Sequence, residues 1–185
     1  MDADWDKRKI SFKKLEEADL PLIHKWLNFP EVAKWVKWDD QDYPSLDFVR
    51  RHWQPRIQGS DPTKCYIALY SQKPVAFVQS ALISDEPRYE EAFNLGYDAS
   101  AIDIFIGEQD YIHKGLGSLI IKAFLKDIVF KVYSIDVCTI DPDRENKIAI
   151  RAYEKSGFRH IKTVWNPIDK VWAYVMAINR KSVQE

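Results

Sequence analysis

The chain has 185 residues, 46% hydrophobic and 30% charged, with a formal net charge of −1. That length suits one domain with a sizeable core, and the near-neutral charge removes any bulk attraction to nucleic acid or an anionic membrane. No apolar run approaches the ~20 residues of a membrane helix, and the acidic, polar residues 1–7 do not read as a secretory signal, so a cytoplasmic protein is expected. In chain order, residues 8–15 alternate, with Ile10 and Phe12 on one face, and read as a strand. Residues 17–27 place Leu20, Ile23, Trp26 and Leu27 on one helical face with Pro21 in the first turn, and Pro30 discourages continuation. Residues 36–43 read as a loop and 45–57 as a second helix.

 
Pro55, two residues before the end of that segment, is the one point at which the second helix is open to interruption. Residues 65–70 and 75–83 read as strands joined by the turn Ser71-Gln72-Lys73-Pro74. Residues 84–98, polar and aromatic with five acidic side chains, read as a substrate loop. An apolar strand, residues 101–107, then leads through Tyr111-Ile112-His113-Lys114-Gly115-Leu116-Gly117-Ser118 into a helix reaching about Phe130. Residues 133–140 form a β-branched run expected as a strand, and 146–156 a helix ended by Gly157. Residues 159–165 and 171–178 read as strands around the turn Asn166-Pro167-Ile168-Asp169. The order β-α-α-β-β-β-α-β-α-β-β implies a single α/β domain, a mixed central sheet with helices on both faces. It would span residues 8–180, with residues 1–7 and 181–185 as tails.

Several residues stand out against this background. Cys65 and Cys138 lie in strand-like runs without metal-ligand spacing and are expected to be buried free thiols. The four histidines, at 24, 52, 113 and 160, have no metal spacing either, so no metal is expected. Aromatic residues are usually core. Trp35 and Trp38, however, lie in Lys34-Trp35-Val36-Lys37-Trp38-Asp39-Asp40, too polar for a core element, and at least one is expected to line a cleft.

The glycine turn is the strongest signal. A strand, a glycine-bearing turn and a helix gather free backbone N–H groups from His113, Lys114, Gly115, Leu116, Gly117 and Ser118 at a helix N-terminus, where a phosphate is favoured. The turn is neither a dinucleotide fingerprint, because position 120 is Ile, nor a P-loop, because Lys114 precedes the glycines. Asp103 interrupts an otherwise apolar strand, and a carboxylate there needs a partner or a role. It reads as either a functional group or a satisfied aspartate at a strand edge. Tyr153 shares helical spacing with Ala149 and Ile150, which suits a core aromatic. Asn146 is an N-cap, a ligand contact or both. Asp141 and Asp169 are ordinary turn residues by position.

The turn and the later run Tyr153-Glu154-Lys155-Ser156-Gly157-Phe158, in that order and separated by one strand, resemble the GCN5-related N-acetyltransferases over about residues 10–178. A closer resemblance is to the aminoglycoside 6'-N-acetyltransferases. It is carried by Trp26-Leu27-Asn28, Ala76-Phe77-Val78-Gln79-Ser80, Ile102-Asp103, the glycine turn, Asp141-Pro142 and the run from Ala149 to Phe158. Ile112 stands where the family usually carries Gln or Arg, and Ile104 where many of the aminoglycoside enzymes carry a polar residue. The resemblance implies a splayed sheet holding acetyl-coenzyme A in the V between two central strands. The pantetheine arm would pair with backbone at Ile104, Phe105 and Ile106, the pyrophosphate would sit on His113 to Ser118, and Asn146, Ala149 and Tyr153 would also face the cofactor. It further implies that Asp103 orients the acceptor amine or takes its proton directly or through water, and that Tyr153 protonates the departing thiolate. Asp141 and Asp169, with Trp35, Trp38 or Tyr89 as aromatic walls, would hold a cationic amino sugar, most directly an aminoglycoside. The alternatives on the same chassis are transfer to a siderophore hydroxylamine or a protein N-terminus, or a non-catalytic sensor of coenzyme A or an amine.

Overall fold

The computed structural model describes residues 5–36 and 43–184. Trp38, and with it most of the expected 36–43 loop, lies outside the described residues. The strands are β1 (Ile10–Lys14), β2 (Lys64–Tyr70), β3 (Lys73–Leu82), β4 (Ser100–Ile106), β5 (Val137–Ile140), β6 (Arg159–Asn166) and β7 (Val171–Asn179). The helices are α1 (Leu20–Leu27), α2 (Pro30–Ala33), α3 (Leu46–Gln58), α4 (Pro87–Phe93), α5 (Leu116–Phe124), α6 (Phe130–Val132), α7 (Lys147–Ser156) and α8 (Lys181–Gln184), with a π-helical turn over Leu125–Val129. Among the described residues these strands form one mixed sheet, in the order β1-β2-β3-β4-β5-β7-β6. No helix among them is long and apolar enough to cross a membrane.

Side chains alternate across the sheet with the period of two that a strand imposes. Tyr66, Ala68, Ala76, Val78 and Ile102 face a core shared with Leu116, Ile120 and Phe124 of α5 and Ile150 and Tyr153 of α7. Cys65, Ile67 and Phe77 face the opposite core, with Ile23 and Trp26 of α1 and Val49 and Trp53 of α3. Helices therefore cover both faces, as the element order implies. Both cysteines are buried and unbridged.

The V arises from unequal pairing of β4. Along its whole length β4 pairs with β3, Ile106↔Ala76 through Ser100↔Leu82. With β5 it pairs in parallel only at Ser100↔Cys138 and Ala101↔Thr139. Beyond Ala101 the two strands part, leaving one edge of β4 open.

Four local expectations need correction. The 84–98 segment is not simply a loop: it contains α4, with Pro87 at the first helical position, the Glu86 carboxylate accepting from Arg88 N–H at 3.4 Å, and Asn94 ending the helix at φ 42°. Pro55 does not break α3. It falls in the last turn, where the loss of one N–H is tolerated, and Gly59 closes the helix at φ 79°. Ile83 leaves β3 for a short 3-10 turn. The strand expected at 133–140 begins only at Val137. Upstream, the guanidinium of Arg180 takes the carbonyls of Phe130, Tyr133 and Ile135, at 2.5, 2.9 and 3.0 Å, so those acceptors serve a side chain rather than a ladder.

Candidate active site

The turn before α5 is built to leave donors free. His113 and Gly115 both adopt left-handed backbone, at φ 59° and 84°. Gly115 is the N-cap, and no side chain caps the helix. The first N–H groups of α5 consequently lack an intrahelical partner and point out of its N-terminus. Ser118 contributes no cap, since its hydroxyl donates to the Gly115 carbonyl at 3.0 Å. A Cβ on Gly117 would meet nothing nearer than Ile106 Cδ1 at 4.0 Å. Packing of the chain on itself does not demand that glycine, and the space it leaves opens beside β4. Gly107 is different: a Cβ there would sit inside the indole of Trp26. Trp26 is locked in place by donating from Nε1 to Glu108 Oε1 at 2.8 Å.

Outside the expected 8–180 span, Trp5 braces this turn. Its Nε1 donates to the Lys114 carbonyl at 2.7 Å, and its ring packs edge-on against Tyr70 and tilted against Tyr111, at 5.0 and 5.6 Å between centroids.

The open edge of β4 presents a defined set of backbone groups. Gly107 N–H donates to the Val75 carbonyl at 3.0 Å, in register with Ile106↔Ala76. Hydrogen-bonded pairs alternate in an antiparallel ladder, so Phe105 and Asp103 direct their backbone groups at β3. The N–H and C=O of Ile104 and Ile106 face the V. This corrects the expectation for Phe105, whose backbone is committed to β3. Its ring instead stacks on Phe77 at 5.2 Å in the opposite core.

Five elements meet at the acidic end of the V. Asp103 projects from β4, and its Oδ2 accepts from Gln79 Nε2 of β3 at 2.8 Å. Asp141 stands just past the end of β5, and Asp169 in the β6–β7 turn. Tyr89 of α4 donates to Asp169 Oδ2 at 3.0 Å. Tyr153 of α7 is buried in the core, yet the charges acting on it are those of Asp103 and Asp141. The cluster is thus the meeting point of three carboxylates and two phenols brought together from distant parts of the chain.

Its electrostatics follow from that crowding. Water reaches the Asp103 carboxylate, while protein closes round it at larger radius, and this burial raises its pKa; Asp169 adds to the rise, and Gln79 and Arg56 oppose it. Burial, then the charges of Asp103 and Asp169, push Asp141 well up. Asp169 is also raised by burial, against the hydrogen bonds from Tyr89 and Asn166. Both phenols are pushed up by burial and by these carboxylates, so they stay protonated at neutral pH. Among the described residues no group of three or more His, Cys, Asp or Glu is arranged to hold a metal ion.

The remaining expected residues take other places. Asn146 is the N-cap of α7, its Oδ1 accepting from Ala149 N–H at 3.1 Å. Ala149 packs partly buried against the core beside it. Trp35 is half-buried at the end of α2, with the Lys34 ammonium 4.9 Å from its ring centre. Three residues that sequence reasoning did not single out complete the site. Asn166, fully buried, donates to Asp169 Oδ2 at 2.8 Å and accepts from the N–H groups of Ile168 and Asp169 at 2.9 and 3.3 Å. Gln79 holds Asp103, and Arg56 Nη1 donates to Gln79 Oε1 at 3.0 Å. An Asn opening a four-residue turn was a readable signal for an Asx-turn; Gln79 and Arg56 carried none.

Comparison with known proteins agrees with this geometry. Residues 16–165 match the family model described as an acetyltransferase (GNAT) domain. An aminoglycoside N(6')-acetyltransferase type 1 of Klebsiella pneumoniae is 29% identical over 161 residues, covering 85% of this chain and 78% of the relative. Among solved structures, AAC(6')-Ib in complex with ribostamycin and coenzyme A superimposes with a TM-score of 0.84 at 25% identity, covering 96% of this chain and 97% of the other. AAC(6')-Ib with coenzyme A and kanamycin gives 0.81 at 25% identity, covering 95% and 97%.

Proposed function

The chain belongs to the GNAT acetyltransferase family, and we propose that it is an acetyl-coenzyme A-dependent N-acetyltransferase whose acceptor is a cationic amino sugar, most directly the 6'-amine of an aminoglycoside. The observation that carries the acceptor class is the convergence of Asp103, Asp141 and Asp169 on one end of the V, each raised in pKa by burial. Carboxylates gathered in this way are costly when ionised and unpaired, and a polycation relieves that cost. The similarity to AAC(6')-Ib supports the same class.

The chain fits the acyl donor in three places. Free N–H groups at the start of α5 would take the pyrophosphate, the space beside Gly117 admits it without a side chain in the way, and the edge of Ile104 and Ile106 would pair with the amide-bearing arm. Bound acetyl-coenzyme A supplies an acetyl group activated as a thioester. Asp103 orients the substrate ammonium and accepts its proton, directly or through a water, since the amine needs its lone pair before it can attack. The new C–N bond forms as the C–S bond breaks. Tyr153, kept protonated, gives its proton to the sulfur and regains one from the acylated nitrogen, which sheds its second proton as the neutral amide forms. Acetylation removes one positive charge from the acceptor, which is the basis for assigning the protein a role in antibiotic resistance, and the chemistry suits a cytoplasmic enzyme.

The test is a thiol-release assay with acetyl-coenzyme A and paired aminoglycosides. Those carrying a 6'-amine should turn over, and those with a 6'-hydroxyl should not, because a hydroxyl is a poorer nucleophile and offers Asp103 no ammonium. Thiol release with a hydroxylamine acid or a peptide amine, and none with amino sugars, would sink the acceptor assignment. No release with any amine would leave the sensor alternative.

A further inference from the structure

Asp103 is the last member of a chain of polar side chains that begins on the far side of α3. The carbonyl of Pro55 accepts from the N–H groups of Ser60 and Asp61, at 3.0 and 3.2 Å, and this folds the chain back beside the last turn of α3. Asp61 is fixed there, its Oδ1 accepting from Thr63 N–H at 2.8 Å. Its Oδ2 accepts from Arg56 Nε at 3.3 Å, which aims the guanidinium at β3. Arg56 Nη1 donates to Gln79 Oε1 at 3.0 Å, and Gln79 Nε2 donates to Asp103 Oδ2 at 2.8 Å.

The direction of each bond is forced. A guanidinium only donates, so the atom of Gln79 facing Arg56 has to be the carbonyl oxygen. Cys65 adds a second donor to the same oxygen, Sγ to Oε1 at 3.6 Å, and burial pushes its thiol up to about 12, so the S–H proton is retained. With Oε1 held from two sides, the NH2 group has only one direction left, toward Asp103. A flipped amide would set its oxygen against a carboxylate and leave Arg56 facing an NH2.

We infer that Arg56, acting through Gln79, is a positioning residue for Asp103: it holds one carboxylate oxygen and leaves the other directed at the acceptor amine. This rests on the reading of Asp103 as the carboxylate that meets the acceptor. The relay also places one fixed positive charge behind a cluster that is otherwise acidic. The groups facing Asp103 are Gln79 from β3, Arg56 from α3, Cys65 from β2, Tyr89 from α4, Cys138 from β5, Asp141 past β5, Tyr153 from α7 and Asp169 from the β6–β7 turn. Of these, Gln79 and Arg56 favour the ionised form, and Asp169 opposes it.

The experiment is a titration of the Asp103 side-chain carboxyl carbon by NMR in the full chain, assigned with Asp103→Asn. It is run on the wild type, Arg56→Met, Arg56→Lys and Gln79→Glu, with Tm as a check on folding. Arg56→Met keeps the stem and removes the donor, so the Asp103 midpoint should move up by about half a unit to one unit. Arg56→Lys restores a donor and should bring the midpoint most of the way back. In parallel, kcat/KM for whichever amine the wild type acetylates should fall about tenfold in Arg56→Met, the equivalent of one pKa unit. The acidic limb of its pH profile should shift upward, while the Kd for acetyl-coenzyme A stays unchanged. An unmoved Asp103 midpoint in a folded Arg56→Met protein overturns the inference. If Arg56→Met does not fold, Gln79→Glu decides, because it keeps the partner of Arg56 but turns a carboxylate toward Asp103; its midpoint must then rise, and an unchanged one overturns the inference. The titration needs no acceptor, so failure of the amino-sugar assignment and failure of the relay are read separately.

Discussion

Tyr153 serves two purposes at one position. Its ring belongs to the core, tilted against Phe158 at 6.3 Å, while its hydroxyl lies in the field of Asp103 and Asp141. The core reading from the sequence holds for the ring, and the proposed proton transfer concerns the hydroxyl alone. Burial keeps the phenol protonated, and it also makes it a weak acid, so its contribution to leaving-group departure should be moderate. Tyr153→Phe should lower kcat by roughly 10²-fold, the lower end of what a general acid contributes, with the Kd for acetyl-coenzyme A and the Tm nearly unchanged. Steady-state kinetics beside calorimetry would check this, and full turnover in the Phe variant would reduce Tyr153 to packing. Asp103 was legible because a carboxylate breaks the run Ala101-Ile102 to Phe105-Ile106. Gln79 and Arg56 were not, because a single polar residue in a strand or helix carries no periodicity, and their meaning depends on partners 23 and 24 positions apart in sequence.

At the scale of elements, the legible parts were those whose signals are local. The turn before α5, the cap and stop of α7 at Asn146 and Gly157, and the strands β2 and β3 with the turn between them were read from local sequence. The misread parts were decided elsewhere. Whether residues 133–136 join a strand depends on Arg180, more than forty positions on. The helix α4 is anchored by Phe93 against Ala173 and Val175 of β7, which a polar, acidic segment does not reveal. The backbone commitment of Phe105 follows from its register with β3. The turn before α5 likewise depends on a distant residue, Trp5. Trp5→Phe keeps the aromatic packing with Tyr70 and Tyr111 but loses the hydrogen bond to the Lys114 carbonyl. One such bond is worth about 0.5–1.5 kcal/mol, so acetyl-coenzyme A should bind roughly two- to tenfold more weakly. Gly117→Asp should abolish binding, because it fills the open space with a negative charge. Isothermal titration calorimetry would measure both, and the acceptor KM should not follow in Trp5→Phe. Equal losses for donor and acceptor would mean that Trp5 supports the fold as a whole rather than the turn.

Among the described residues, the two halves of the sheet share only Ser100↔Cys138 and Ala101↔Thr139 across the central strands. Helices make up the deficit: α5 and α7 pack across the gap, and Ser156 Oγ donates to the Ser118 carbonyl at 3.3 Å. The three carboxylates crowd at the opening of the V, so the arrangement proposed for binding a ligand opposes stability there. Burial, then Asp103 and Asp169, raise the Asp141 carboxyl well above its usual 3.8. For a group whose folded pKa lies above its unfolded value, the stabilisation is full below the unfolded value and is lost as pH rises through the folded one. At neutral pH, above the unfolded value, the Asp141 carboxyl thus costs stability. Asp141→Asn removes the charge at nearly constant shape, so its Tm at pH 7 should exceed that of the wild type, by ~2–4 °C for each kcal/mol relieved in a domain of this size. The gain should shrink as pH falls and vanish below the usual carboxylate range, where the folded and unfolded carboxyls are both protonated. A cationic acceptor should reverse the order, raising the Tm of the wild type more than that of the variant, because ligand that binds only the folded state stabilises by mass action and the variant has lost one of its counter-charges. Thermal unfolding followed at several pH values, with and without acceptor, would decide the matter. A variant less stable than the wild type by the same amount at every pH would mean that Asp141 holds the β5 end by shape and hydrogen bonding, with no electrostatic strain stored in the cleft.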